Sequence, residues 1–297
     1  MQAKDLRGII PAIVTPFKEN GELDKEGLKC LTRFLLDQGV HGIMTTGGNG
    51  EFPHLLREEK KTITEIVAQE VKGRVPVIAG TAACSTMETL LLSQEAKEAA
   101  GADAVIITPP YYFKLSDDSI YEHYRMLSER LDIPIIVYNN PLYTGNNLSP
   151  NLIDRIADLK GIIGLKQSNS DLGQLVETIR MSGGKISIHT GIDSQFYPSL
   201  CVGAKGIFST AACLIPNQMV EIFNHFESGK HKEAFTIYMK IQKLNRFLEY
   251  DPGYVSSCKE GLRLLGLPGG SVRKPLPELH PNEREALKEA LRELGRI

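Results

Sequence analysis

Residues 87–112, METLLLSQEAKEAAGADAVIITPPYY, contain one complete alternation of the pattern on which the whole chain is built. A segment of helical period over 87–100 gives way at Gly101 to the β-branched run 104–108, which ends at two prolines and two tyrosines. The same rhythm extends in both directions. Strand cores read at 8–14, 42–46, 75–79, 104–108, 133–138, 162–166, 185–190 and 206–208, and helical segments such as 25–38, 57–71 and 118–131 are long enough to make right-handed crossovers. Eight strands with intervening helices predict an α/β fold of the closed (β/α)8 TIM-barrel type. An open doubly wound sheet is disfavoured because no G-x-G-x-x-G follows the first strand. After Pro216 the strand signal stops, and helical patterns over 218–227, 231–250, 259–265 and 282–294 predict a C-terminal helical appendage. The expected organisation is a catalytic barrel over 1–222 and a helical region over 223–297 packed on it, with no flexible linker between them.

The composition narrows the function classes. Of 297 residues, 42% are hydrophobic and 24% charged, enough to bury a large core. The formal net charge of -2 provides no basic field to draw in nucleic acid or an anionic membrane. The five cysteines are odd in number and far apart, with no C-x-x-C pair, and are expected to be reduced, mostly buried thiols of a cytoplasmic protein. The first seventeen residues carry charges where a signal peptide needs its apolar stretch, and no run reaches the ~18 apolar residues of a membrane span. No H-E-x-x-H or similar spacing suggests a metal.

In a barrel of this kind the chemistry is built at the C-terminal ends of the strands. Lys166 closes the apolar run 161–165, and strand alternation can turn it into the barrel mouth, where an amine attacks carbonyl carbon; a lysine leaving the strand end for solvent fits the same pattern. The loop 47–51, with three glycines, can aim backbone N–H groups at a small carboxylate or can be a plain tight turn. Tyr138 suits proton transfer or simple strand capping, and Tyr111 and Tyr112 suit packing or a subunit interface as well as catalysis.

Taken in order, PAIVTPF, GGNGEFPHL, TPPYY, YNNPLYTG, GLKQS and VRKPL make the chain resemble, over nearly its whole length, the dihydrodipicolinate synthase and N-acetylneuraminate lyase family of class I pyruvate-dependent aldolases. The resemblance implies that Lys166 is the Schiff-base lysine, Tyr138 the proton-relay tyrosine, and Gly48 and Asn49 the pair that holds the pyruvyl carboxylate. It makes Tyr112 the tyrosine that enters a neighbour's active site. It also implies a homotetramer built as a dimer of dimers, small-molecule partners (a 2-oxo acid and an aldehyde), and independence from metals and cofactors.

The departures bear on the substrate. Synthases of this family typically show G-T-T-G-E where this chain has Gly48 and Asn49, so one relay hydroxyl is missing. Tyr143 stands where they place an arginine for the acceptor's carboxylate, and a phenol does not replace a bidentate guanidinium. The run 165–168 followed by Asp171 resembles the neuraminate lyase branch, in which Ser168 belongs to the substrate pocket and Gly191, Asp193 and Ser209 match positions that contact a polyhydroxylated substrate. G-x-N-G-E-F-P is also similar to 4-hydroxy-2-oxoglutarate aldolases. The expected function is a lyase that cleaves or forms a 2-oxo acid, with sugar-derived substrates ahead of 4-hydroxy-tetrahydrodipicolinate synthesis. A 2-keto-3-deoxy acid dehydratase and a non-catalytic 2-oxo-acid sensor remain alternatives.

Overall fold

In the computed structural model, which describes residues 1–249 and 253–297, the eight expected strands are present: β1 (Gly8–Pro11), β2 (Ile43–Thr45), β3 (Val77–Gly80), β4 (Ala104–Ile107), β5 (Ile135–Asn139), β6 (Ile162–Gln167), β7 (Ser187–Thr190) and β8 (Gly206–Ser209). They pair in parallel in the order β1-β8-β7-β6-β5-β4-β3-β2, and a bridge between Ala12 and Met44 joins β1 to β2 and closes the barrel. Several strands are shorter than the sequence pattern predicts. Residues 12–14, for example, leave β1 after that single bridge.

Alternation sorts the strand residues into two cores. Ile10, Met44, Ile78, Ile106, Ile136 and Phe208 fill the barrel, with Leu6 beneath them, whereas Ile9, Ile43, Val105, Val137, Leu165 and Ile207 face the surrounding helices. The outer ring includes α1 (Lys25–Asp37), α2 (Arg57–Val71), α3 (Thr86–Glu98), α4 (Asp117–Arg130), a single turn α5 (Pro141–Thr144), α6 (Pro150–Ala157), α7 (Leu172–Ser182), α8 (Phe196–Cys201) and α9 (Pro216–Glu227). Helix starts are chemically marked: Asp24, Ser85, Ser116, Ser149 and Asp171 each accept an N–H from the first turn of their helix. Asp171, which the motifs set beside the substrate residues, is thus the N-cap of α7.

The C-terminal region forms α10 (His231–Leu248), α11 (Tyr254–Leu264) and α12 (Pro281–Glu293). The end of the expected helix 231–250 lies outside the described residues. The boundary expected between 222 and 223 falls inside α9, a continuous helix. The sequence pattern starts α11 at 259, five residues late, because Val255, Ser256 and Ser257 are weak helix formers that are buried here. A further correction concerns the thiols: Cys30, Cys84 and Cys201 are exposed, and only Cys213 and Cys258 are buried.

Beyond the apolar core that α10, α11 and α12 share with the barrel, an ion pair ties this region on. Lys259 on α11 bonds Glu51 in the loop after β2, with both side chains essentially sealed from solvent. The Lys259 ammonium also donates to the Ser271 carbonyl at 2.7 Å, and the backbone N–H of Arg273 donates to Glu51 at 2.8 Å. The Arg273 guanidinium grips Glu59 of α2 through two bonds of 2.6 and 2.7 Å. This explains the VRKPL motif: it fastens the tail to α2 and to the loop after β2. Burial pulls the Lys259 ammonium below its ordinary value, and the Glu51 charge opposes that shift. Removing one partner strands a buried charge, so Lys259→Met should cost roughly 3–5 kcal/mol. Glu51→Gln added to it should recover part of the loss, and urea unfolding of the two variants checks both outcomes.

Candidate active site

A cleft of about 670 Å³ opens at the C-terminal mouth of the barrel, with Lys166 in its wall. A bulge aims that lysine. Ile135 pairs with Ile162, but Ile136 pairs with Gly164, so β6 carries one extra residue and its inside–outside phase flips there. Ile163 lies in the barrel core and Leu165 in the outer one, which leaves Lys166 pointing inward at 5% exposure. Its Nζ lies 4.2 Å from the Tyr138 ring centroid and 4.0 Å from Met44 Sδ, and among the described residues no carboxylate forms an ion pair with it. Tyr138 faces inward by the ordinary alternation of β5, and Asn140 Nδ2 donates to its hydroxyl oxygen at 3.0 Å. The phenolic proton therefore remains available to a substrate.

Behind this pair, Gly191 is forced to be glycine by close packing. A Cβ there would stand 2.1 Å from Ser168 Oγ and 2.6 Å from Lys166 Cε. Ser168 Oγ is buried at the cleft wall without a partner.

The loop after β2 is held in an unusual shape. Thr46 and Glu51 have φ of 49° and 60°, the left-handed region, and Thr46 Oγ1, Thr15 Oγ1 and the Glu51 amide bond backbone carbonyls around the turn. Among the described residues no acceptor takes the Gly48 or Asn49 amide, so both remain open to an anion. The Asn49 side chain does not share in this, because its Nδ2 donates to the Ala12 carbonyl at 2.6 Å.

Asp193 also lines the cleft, buried, where it accepts from the Ser209 hydroxyl and from the Thr210 and Ala211 amides at 3.1 and 3.0 Å. Ser209 is fully buried behind Asp193, and its hydroxyl bonds that carboxylate in place of a ligand. Tyr143, half exposed on α5, borders the cleft. Tyr112 does not reach it: with φ 85° the chain turns outward after the two prolines and leaves the ring 86% exposed beside Phe113.

Two polar cleft residues supplied by the C-terminal helical region have no counterpart among the sequence candidates. Glu249, just after α10, accepts the Ser194 amide near Asp193. Tyr254, the first residue of α11, stands against Gly48. The only signal for either was position, a polar residue at a helix end in the appendage. A separate cavity of about 480 Å³ at the opposite barrel mouth is lined by Lys4, Arg7, Lys185 and Lys205, of which Arg7 pairs with Glu227 and Lys185 with Asp154 and Asp158, and it holds none of the strand-end residues.

Comparison with known proteins agrees with this architecture. The model of the dihydrodipicolinate synthetase family matches residues 5–294. The chain belongs to that family. It is an enzyme, a carbon–carbon lyase of the class I aldolase type. A 4-hydroxy-tetrahydrodipicolinate synthase of Syntrophus aciditrophicus is 38% identical over 293 residues, covering 98% of this chain and 99% of the relative. The dihydrodipicolinate synthase of Thermotoga maritima superposes with a TM-score of 0.94 at 34% identity, covering 98% and 99% of the two chains. An Escherichia coli K12 prophage protein of the same family, solved in complex with pyruvate, gives 0.94 at 30% identity over 98% and 99%. No helix among the described residues is long and apolar enough to cross a membrane.

Burial, reinforced by the neighbouring Asp193 carboxylate, pushes the Glu249 carboxyl up to about 7 from an ordinary 4.5, and burial also raises Asp193 against the pull of its hydrogen bonds and of Lys166. A carboxyl whose folded value exceeds its unfolded one adds stability below the unfolded value and loses it as pH rises through the folded one. The Glu249 contribution is therefore lost as pH rises from about 5 to about 8, while His41, His123 and His189, whose imidazoles burial holds below their ordinary value, add stability as pH rises over the acid part of that range. The stability of the unaltered protein relative to Glu249→Gln should therefore decline as pH rises through that range. Thermal melts across that range read the difference.

Proposed function

We propose that this lyase makes and breaks a carbon–carbon bond through a Schiff base between Lys166 and pyruvate or a longer 2-oxo acid. The observation that carries the reading is the Lys166 amine, buried in the cleft wall with no ion-paired carboxylate among the described residues and packed against the Tyr138 ring. The open amides of Gly48 and Asn49 take the carboxylate of the 2-oxo acid, which sets the neighbouring ketone carbon before Nζ. Attack by Nζ gives a carbinolamine, loss of water gives an iminium, and the iminium accepts the electrons released when the bond beyond C3 breaks. In the opposite direction the enamine attacks an aldehyde. Tyr138 passes the protons. The alternative of a non-catalytic sensor gives way to membership in a family of lyases.

For the specific reaction, the names of the relatives support 4-hydroxy-tetrahydrodipicolinate synthesis from pyruvate and aspartate semialdehyde. They do not support the order expected from the motifs, which put sugar-derived substrates first. One observation favours a second reading. Tyr143, and no arginine, borders the acceptor side, and Asp193 and Glu249 line the cleft, where hydroxyl donors fit better than a second carboxylate. Tyr112 enters this proposal only through a second copy of the chain, since its outward ring suits a homotetramer in which it reaches a neighbour's cleft.

Pyruvate with borohydride should add one stable mass at Lys166, and Lys166→Ala should abolish it. A label on another lysine, or none while pyruvate binds, would refute the mechanism. Against aspartate semialdehyde, Tyr143→Arg should raise the specificity constant by about one to two orders of magnitude, the worth of a charged hydrogen bond. Efficient condensation by the unaltered protein, with no gain from the substitution, would assign acceptor recognition to other residues.

A further inference from the structure

Gly48 and Tyr254 occupy one space. A Cβ built on Gly48 would lie 2.7 Å from the Tyr254 hydroxyl oxygen and 4.0 Å from its Cζ. The end of the phenol thus stands where a side chain on residue 48 would stand, beside the amides that face the cleft. The placement is built in at both ends. Tyr254 opens α11, the helix whose Lys259 is bonded to Glu51, three residues beyond Gly48, and whose Ser256 donates to the Pro277 carbonyl at 2.5 Å.

Tyr254 also lies between two chambers. Besides the main cleft, an apolar cavity of about 260 Å³ adjoins it, and Gly48, Tyr138, Tyr143 and Tyr254 border both. In the wall of the smaller chamber, Thr108 Oγ1 and His54 Nδ1 are buried atoms with no partner among the described residues, and Thr108 is 5% exposed. Unpartnered polar atoms in a small cavity are places for water or a transient proton carrier.

We propose that Tyr254 is a second catalytic acid–base residue, a phenol that donates a proton at the carboxylate end of the cleft and is recharged through the smaller chamber. The inference rests on the Lys166 reading. When Nζ bonds the ketone carbon, the carbonyl electron pair moves to oxygen. Two protons must then reach that oxygen before it departs as water: one comes from Nζ itself and the other from outside. Tyr138, whose ring packs on Nζ, transfers the first. Tyr254 supplies the second and takes its replacement from solvent by way of Thr108. The nitrogen lone pair closes the iminium as the water leaves, and every proton and electron pair is accounted for.

The test needs no acceptor aldehyde. Exchange of the pyruvate methyl protons in deuterated water, followed by NMR, reads iminium and enamine formation, while borohydride trapping reads whether Lys166 still reacts. Tyr254→Phe should slow exchange on the order of 100-fold, the scale of general acid–base catalysis, with the KM for pyruvate little changed and trapping complete at long times. Gly48→Ala leaves the tyrosine intact but displaces its hydroxyl, and should cause a similar loss. In Tyr254→Phe/Gly48→Ser the serine hydroxyl fills the space the phenol vacated, since only Cζ remains at 4.0 Å, and about tenfold of the rate should return. A merely structural tyrosine would lower stability and trapping together and would not be rescued. Exchange at the unaltered rate in a folded, trapping Tyr254→Phe protein overturns the inference and leaves the Lys166 reading standing. If the unaltered protein neither traps nor exchanges, the Lys166 reading falls and takes this one with it.

Discussion

The buried pair of Glu51 and Lys259 is the constraint on which the working end of this molecule depends. Taking two charges out of water is costly, and the gain from their attraction is realised only when geometry and further hydrogen bonds are good. Here the Arg273 amide and the Ser271 carbonyl supply those bonds. The pair holds Glu51 in a left-handed conformation that few side chains adopt. That conformation shapes the turn in which the Gly48 and Asn49 amides stay open. A feature of the appendage, far away in sequence, therefore determines a feature of the second strand's loop.

The cleft is lined by unlike polar groups. The loop that carries the Gly48 and Asn49 amides, the carboxyls of Asp193 and Glu249, and the amine of Lys166 all border it. In the proposed mechanism a 2-oxo acid is oriented by its carboxylate before any bond forms, and an acceptor that meets the carboxyls must offer donors or bring its own means of tolerating the charge. On the proposed reading the nucleophile belongs to the shared chemistry of the family, and the walls around it set the preference for the second substrate.

Much of this was legible in the sequence because it is periodic or local. Eight β-branched runs mark the strands, and Lys166, Tyr138, Gly48 and Asn49 fall in short motifs at strand ends, where barrels place their chemistry. What could not be read depends on contacts distant in sequence or on a count that slips by one. The extra residue in β6, opposite the step from Ile135 to Ile136, reverses the phase of that strand, and simple alternation from Ile163 would have sent Lys166 outward. Ser209 matches a substrate position in the motifs, yet its hydroxyl is engaged by Asp193. Tyr254 and Glu249 lie in a segment with no strand-end signature, and only the packing of α10 and α11 over the barrel mouth brings them to the cleft.

The order in which the chain leaves the ribosome gives the ion pair another meaning. All eight strands lie before residue 210, so the barrel can close while the last quarter of the protein is still being made. Lys259 and Tyr254 arrive only afterwards. Until they do, the loop after β2 lacks its counter-charge and the cleft lacks one wall, so the pocket around Lys166 is finished only with the last part of the chain.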